Sequence, residues 1–292
     1  MKMNKSLLYA GIALVIVSLL GNYAFFVSSQ LQKPIMLKHY YYVPSSQGHI
    51  IHLHYIANRN DTMDIQWLTI PGIEGEFYSK GPQFGPKYRH YQVKTFSFEV
   101  NERFLTNIDE NSFSFNQVKA HLSNGDSLTM DIGEITFYKW NDRVLQFQSS
   151  GSSSDNTGFH ILKADQDVNI TDLKIPYAEE LASALTLKLN SNQVEVQQHL
   201  NREVPEIIND NGKSLSYDLF PIMMKKDDLL SIKYQFSFQH NDSRRFNYYE
   251  IRTALQGKET KGSPFTDYFS ISYQPYLGEK ELREIVKEGT NE

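Results

Sequence analysis

The stretch "LLSIKYQFSF", residues 229–238, decides the fold class. Leu230, Ile232, Tyr234, Phe236 and Phe238 share one side of an extended chain, and Ser231, Lys233, Gln235 and Ser237 share the other. Successive strand side chains point to opposite faces, so this alternation predicts a strand with one dry and one wet side. "FSISY" at 269–273 repeats the pattern with Phe269, Ile271 and Tyr273. Around "SNGD" at 123–126, Val118, Ala120 and Leu122 mirror Leu128, Met130 and Ile132. Asn-Gly between two alternating runs predicts a hairpin. The same reading places strands near 37–43, 64–70, 91–100, 134–139, 143–148, 159–163, 184–189, 193–198 and 246–254. Helix is expected late, at "GEKELREIVKEG", residues 278–289, where Leu282, Ile285 and Val286 fall at helical spacing.

Composition agrees. The 292 residues are 40% hydrophobic and 13% aromatic, mostly Tyr and Phe, which suit half-buried pleated surfaces. The net charge of −5 and the lack of any long basic run argue against a nucleic-acid partner, because phosphate binding needs clustered Lys and Arg. The chain contains no cysteine, which excludes disulfides, thiolate metal sites and a cysteine nucleophile.

The N-terminus breaks the pattern. Leu7 to Val27 reads "LLYAGIALVIVSLLGNYAFFV", and no charge interrupts the chain between Lys5 and Lys33. About 20 mostly apolar residues span a bilayer core. Lys2, Lys5 and the amino terminus precede it, so the positive-inside rule predicts a single-pass anchor with the N-terminus in the cytoplasm and the body outside. The lipid of the cell membrane is then the first partner. The alternative is a signal peptide cut after Ser29, which would release a secreted body.

One internal echo bears on domain organisation. Ile65, Leu68, Ile70, Pro71 and Glu74 match Ile170, Leu173, Ile175, Pro176 and Glu179 at a constant offset. "GDSLTMDI" from Gly125 resembles "DDLLSIKY" from Asp227. A weaker match sets Tyr40 and Tyr42 against Leu145 and Phe147, each followed by a glycine, Gly48 or Gly158, that opens a strand. These matches predict a duplicated unit. The Ser-rich run at 149–158 then becomes an enlarged loop, and the junction falls at Trp140-Asn141-Asp142. The expected fold is all-β, with a transmembrane anchor over 1–33 and two tandem immunoglobulin-like β-sandwiches over 34–140 and 141–277. A C-terminal helix and tail over 278–292 complete it.

Candidate chemistry is sparse. In "HIIHLHYI", residues 49–56, His52 and His54 share one strand face, as in many metal sites, but no third ligand stands at a telling spacing. A half-covered polar strand face explains them better. The oxygen-rich loops at 58–64 and 165–169 lack the Gly and Glu of a helix-loop-helix calcium site and read as turns. "GPQFGPK" at 81–87 reads as a turn-rich connection. No G-x-S-x-G, S-x-x-K or H-E-x-x-H occurs, and no cofactor is expected. In "HYYYV" at 39–43, Tyr41 must point away from Tyr40 and Tyr42, and "NYYE" at 247–250 splits its pair likewise. Tyr41, Trp67 and Trp140 are the candidates for stacking on a ligand. The expected function is therefore a non-catalytic, membrane-anchored extracytoplasmic module that binds an envelope protein or polysaccharide. The alternatives are an extracytoplasmic glycan hydrolase, whose paired carboxylates leave no local signature, and a metal-handling protein using His52 and His54.

Overall fold

The computed structural model describes residues 5–81, 83–101, 112–139, 143–191, 213–214 and 219–289. The expected strand at 193–198, and Trp140 with its junction, lie outside them. Helix α1, Lys5–Ser28, contains an apolar span, Leu8–Ser28, with mean hydropathy 2.1 and no part buried against the body. Its 21 residues rise about 31 Å, close to the hydrocarbon thickness of a bilayer.

Among the described residues the rest is strands and their connections, with two short α-helices and a 3-10 turn at Ser243–Phe246. The first half contains β1 Ile35–Met36, β2 His39–Pro44, β3 Ile50–Asn58, β4 Ile65–Thr69, β5 Phe77–Tyr78, β6 Gln83–Lys87, β7 Tyr91–Glu99, β8 Ser112–Leu122 and β9 Ser127–Tyr138. The second contains β10 Leu145–Ser152, β11 Thr157–Ala164, β12 Val168–Lys174, α2 Ala178–Leu181, β13 Leu185–Asn190, β14 Lys213–Ser214, β15 Ile222–Met224, β16 Leu229–Phe236, β17 Tyr248–Glu259 and β18 Pro264–Tyr273. Helix α3, Glu279–Gly289, follows.

Two readings of loops change. "GPQFGPK" supplies β6, an edge strand, where a proline without an N–H is tolerated. Gly85 is needed there, because a Cβ would stand 2.8 Å from the Val93 carbonyl oxygen. The Ser-rich run extends β10 to Ser152, and β11 starts at Thr157, so an enlarged loop becomes a short turn. Serines at an edge still offer the full set of backbone partners.

Each half is a two-layer sandwich around its own core. In the first, β1-β3-β7-β6 faces β2-β9-β8-β4-β5 across Leu53, Phe96, Leu68 and Ile132. In the second, β10-β11-β16-β13-β14 faces β15-β12-β17-β18 across Leu230, Ile232, Ile170 and Ile251. The matched strands pair in the same order. β3 pairs with β7 as β11 does with β16, and β8 pairs with β4 and β9 as β17 does with β12 and β18. Helix α3 folds back, burying Leu282 and Val286 in the first core.

The halves stand side by side. β2 runs parallel to β9, His39↔Gly133 to Pro44↔Tyr138, and parallel to β17, Tyr248↔His39 to Ile251↔Tyr42. A single nine-stranded sheet therefore crosses both halves. β12 pairs with β17 only from Ala254 onward, which leaves the lower edge of β17 open to β2. The three tyrosines of β2 now have their explanation. Tyr41 faces the first core with Val43, while Tyr40 and Tyr42 face the second. Tyr40 stacks on Tyr249 at 5.4 Å and Tyr42 on Tyr138 at 4.8 Å.

The body abuts α1. Leu31 N–H donates to Asn58 Oδ1 and Asn58 Nδ2 donates to the Leu31 carbonyl, both at 2.8 Å. Phe25, in the last turn of α1, meets the His90 ring edge-on at 5.8 Å.

Candidate functional site

The histidine pair is part of the scaffold. β1 pairs with β3 only at Ile35↔Ile56 and Met36↔Tyr55, after which the chain crosses to the other sheet as β2. The crossing leaves an open edge on β3, and β2 closes it with side chains. His39 Nε2 accepts from the His54 N–H at 2.8 Å, and the Tyr41 hydroxyl donates to the His52 carbonyl at 3.0 Å. His52 Nδ1 lies 2.8 Å from Ser97 Oγ, and His54 Nδ1 lies 3.0 Å from Thr95 Oγ1. The His54 ring stacks on Tyr248 at 4.1 Å. Burial, then the charge of His52, pushes His54 down to about 4; burial, then His54, pushes His39 well below the usual histidine range. His39 and His54 are neutral imidazoles, and His39 holds the strand edge. Among the described residues no group of three or more His, Cys, Asp or Glu could hold a metal ion.

Tyr41 is corrected as a ligand-binding candidate. It is buried, its hydroxyl is bound to β3, and its carbonyl accepts from the Tyr177 hydroxyl at 2.8 Å. Trp140 lies outside the described residues.

Trp67 is different. The register between β4 and β8 shifts between Ile65 and Trp67, so Ile65 and Leu68 enter the core while Trp67 turns to the outer face. Such a bulge re-aims a side chain. Trp67 lies across from His121 on β8 and Tyr78 on β5. Its ring stacks on His121 with 3.3 Å between centroids and 10° between planes, and Tyr78 follows at 6.5 Å. Tyr78 is 61% exposed, a high value for so large a ring. Its hydroxyl donates to the Glu76 carboxylate, which raises its pKa. Ser127 Oγ holds His121 Nδ1 at 2.8 Å. Burial and then Lys119 lower the pKa of His121. The result is a row of three rings on a rigid sheet, with Glu76 and Lys119 beside it. Such a row offers flat apolar faces to a sugar ring or a planar side chain, and charges for its polar edge. His121 was legible from the sequence as an outward position between Ala120 and Leu122; Tyr78, in a strand of two residues, carried no signal.

A concavity of about 540 Å³ lies where the two halves meet near α1. Three carboxylates line it, Asp131, Glu180 and Glu288, and the first two are engaged. Asp131 is 2.5 Å from Lys38 Nζ; burial would raise its pKa, but the Lys38 bond and charge outweigh this and lower it. Glu180 Oε1 accepts from the Tyr249 hydroxyl at 3.0 Å and from Asn247 Nδ2 at 3.2 Å. A general acid needs a raised pKa, the opposite of what Lys38 gives Asp131.

No family model matches the chain, and no curated protein matches it by sequence. Solved structures give loose matches. The Enterococcus faecalis MSCRAMM ACE, described as binding its ligands by a collagen hug, is 10% identical with a TM-score of 0.23, over 86% of this chain and 96% of its own. The EC1-4 portion of PcdhgB3 is 9% identical with a TM-score of 0.20, over 84% of this chain and 50% of its own. Superpositions this loose say nothing about a ligand or a site in this chain.

Proposed function

We propose that the chain is a non-catalytic binding module, anchored by α1 with its N-terminus in the cytoplasm and its body outside, that holds an envelope protein or polysaccharide on the Trp67 face. It consists of two units of one duplicated sandwich, over 34–140 and 141–277, with α3 as a strap onto the first. The observation that carries the reading is the row Trp67, His121 and Tyr78 on the outer face of the sheet, with Tyr78 exposed. Support for duplication comes from equal strand pairing and from the first echo, whose Ile65 and Leu68 hold the same places on β4, beside its bulge, as Ile170 and Leu173 hold on β12. The second echo does not contribute. Gly125 precedes β9, whereas Asp227 precedes β16, and these strands occupy different places in their sandwiches.

The test is capture of partners from the native envelope by the full-length chain, followed by Trp67→Ala and Tyr78→Ala. Both variants should fold, Tyr78→Ala with its thermal midpoint within about 1 kcal/mol because its ring is exposed, and Trp67→Ala with a modest loss because its ring is half-buried on the outer face. Each should weaken binding by roughly tenfold or more, as truncation of aromatic hot spots does. Unchanged capture by the double variant would end the assignment to this face. Reporter fusions at each terminus read the orientation.

A further inference from the structure

We propose that the groove between the two halves binds one zwitterionic phospholipid taken from the adjoining bilayer leaflet. This rests on the reading of α1 as a retained anchor, though not on the Trp67 face. The volume of about 540 Å³ falls within the roughly 300–1,000 Å³ of small-molecule sites. Its floor is apolar: Ile35, Met36, Leu128, Met130, Phe246 and Ile285. Phe246 and Met130 belong to the first core, whereas Ile35, Leu128 and Ile285 are only half-buried against it. The groove thus offers hydrocarbon a surface that the fold itself leaves incompletely covered.

Its rim is charged and close to the membrane. Lys33 stands five residues beyond Ser28, so it lies no more than about 18 Å from the end of α1. The contacts of Phe25 with His90 and Leu31 with Asn58 keep this end of the body against the helix. Of the charges on the rim, Lys38 is paired with Asp131, Arg244 with Asp242, and Glu180 accepts from Tyr249 and Asn247. Lys33 and Glu288 line the same groove with no partner among the described residues. One free cation and one free carboxylate over an apolar floor match a headgroup carrying a phosphate and an ammonium above an acyl chain. Lys33 supplies charge for the phosphate and Glu288 for the ammonium, while the chain covers Leu128 and Ile285.

Native mass spectrometry on the full-length chain, reconstituted in nanodiscs of phosphatidylethanolamine and phosphatidylglycerol and then released, tests this. One phosphatidylethanolamine should stay bound. Lys33→Glu and Glu288→Lys should each lower its retention at least fivefold, and Ile285→Glu at least tenfold. Circular dichroism should show all three folded, since these side chains lie on the rim or half-exposed. Retention equal in wild type and all three variants would mean that lipid is held only around α1, and would overturn the proposal. Displacement by millimolar inorganic phosphate would also overturn it, because the site would then take free phosphate. Membrane fractionation separates this result from failure of the anchor, and partner capture separates it from failure of the Trp67 face.

Discussion

The opening strand of the first half changes sheets, while that of the second stays where it begins. After pairing with β3 as β1, the first crosses to lie beside β9 as β2, whereas β10 pairs with β11 along its whole length. The crossing makes the two halves one molecule, because β2 then offers its other edge to β17. Each half also seals its open edges with side chains. His39 and Tyr41 do so in the first. In the second, the buried Asp267 accepts from the Val144 and Leu145 N–H groups, and His160 Nε2 meets the Ser270 carbonyl. A polar side chain that satisfies a strand edge closes a sandwich without another strand.

The seam between the halves gives the largest expected effect. Tyr249 is 1% exposed and packs on Tyr40, Phe236 and Phe238. Tyr249→Ala should cost about 3–5 kcal/mol, as large aromatic truncations do, and it should separate one thermal transition into two. A single, merely lowered transition would mean that the halves are coupled elsewhere.

Next comes the site where β2 meets β9. The hairpin of β8 and β9 shifts register between Phe115 and Gln117, whereas that of β17 and β18 runs without a shift. Gly133 lies at this bulge with φ +88, and a Cβ there would stand 2.6 Å from the His39 carbonyl oxygen. Counted from the turn glycines Gly125 and Gly262, Ser270 holds the corresponding position in the second half. Gly133→Ser should cost roughly 2–4 kcal/mol through strain and lost pairing, read by denaturant unfolding. A neutral result would show that β2 is not held by β9.

The edge-sealing histidines predict an acid limb. His39, His54 and His160 have folded pKa values below the usual 6.5, those of His54 and His160 at about 4, and burial is the first cause in each. Below pH 6.5 the unfolded chain takes up protons that the folded one refuses. Stability should therefore be full above pH 6.5 and fall toward pH 4, by about 1.4 kcal/mol per pH unit for each imidazole. His39→Phe should make the limb shallower while leaving the buried His54 N–H unsatisfied, at about 1–3 kcal/mol. Stability flat between pH 6.5 and 4.5 would contradict the neutral assignment.

The smallest effect is an equality. Gly125 and Gly262 have φ of 91 and 84, and a Cβ at either would meet nothing within 4 Å. Gly125→Ala and Gly262→Ala should each cost about 1–2 kcal/mol from backbone strain alone. Unequal costs would show that the two turns differ in ways their geometry does not.

By itself the sequence determined the local conformation. Alternation in "LLSIKYQFSF" and around "SNGD" fixed strands and a hairpin, and the helical spacing of Leu282, Ile285 and Val286 fixed α3, because these patterns depend only on which way neighbouring side chains point. The uncharged run from Leu7 to Val27 marked a helix able to cross a membrane for the same reason. Partners were a different matter. The alternating faces of "HYYYV" are local, but burial of both came only when β2 slid between β9 and β17. Tyr41 therefore proved to be interior, His52 and His54 found backbone and hydroxyl partners, and His52 and Trp67 reached the outer faces of their sheets. Strand order and edge pairing join residues far apart in the chain, so tertiary structure alone decided where the two sandwiches meet and which rings remain free.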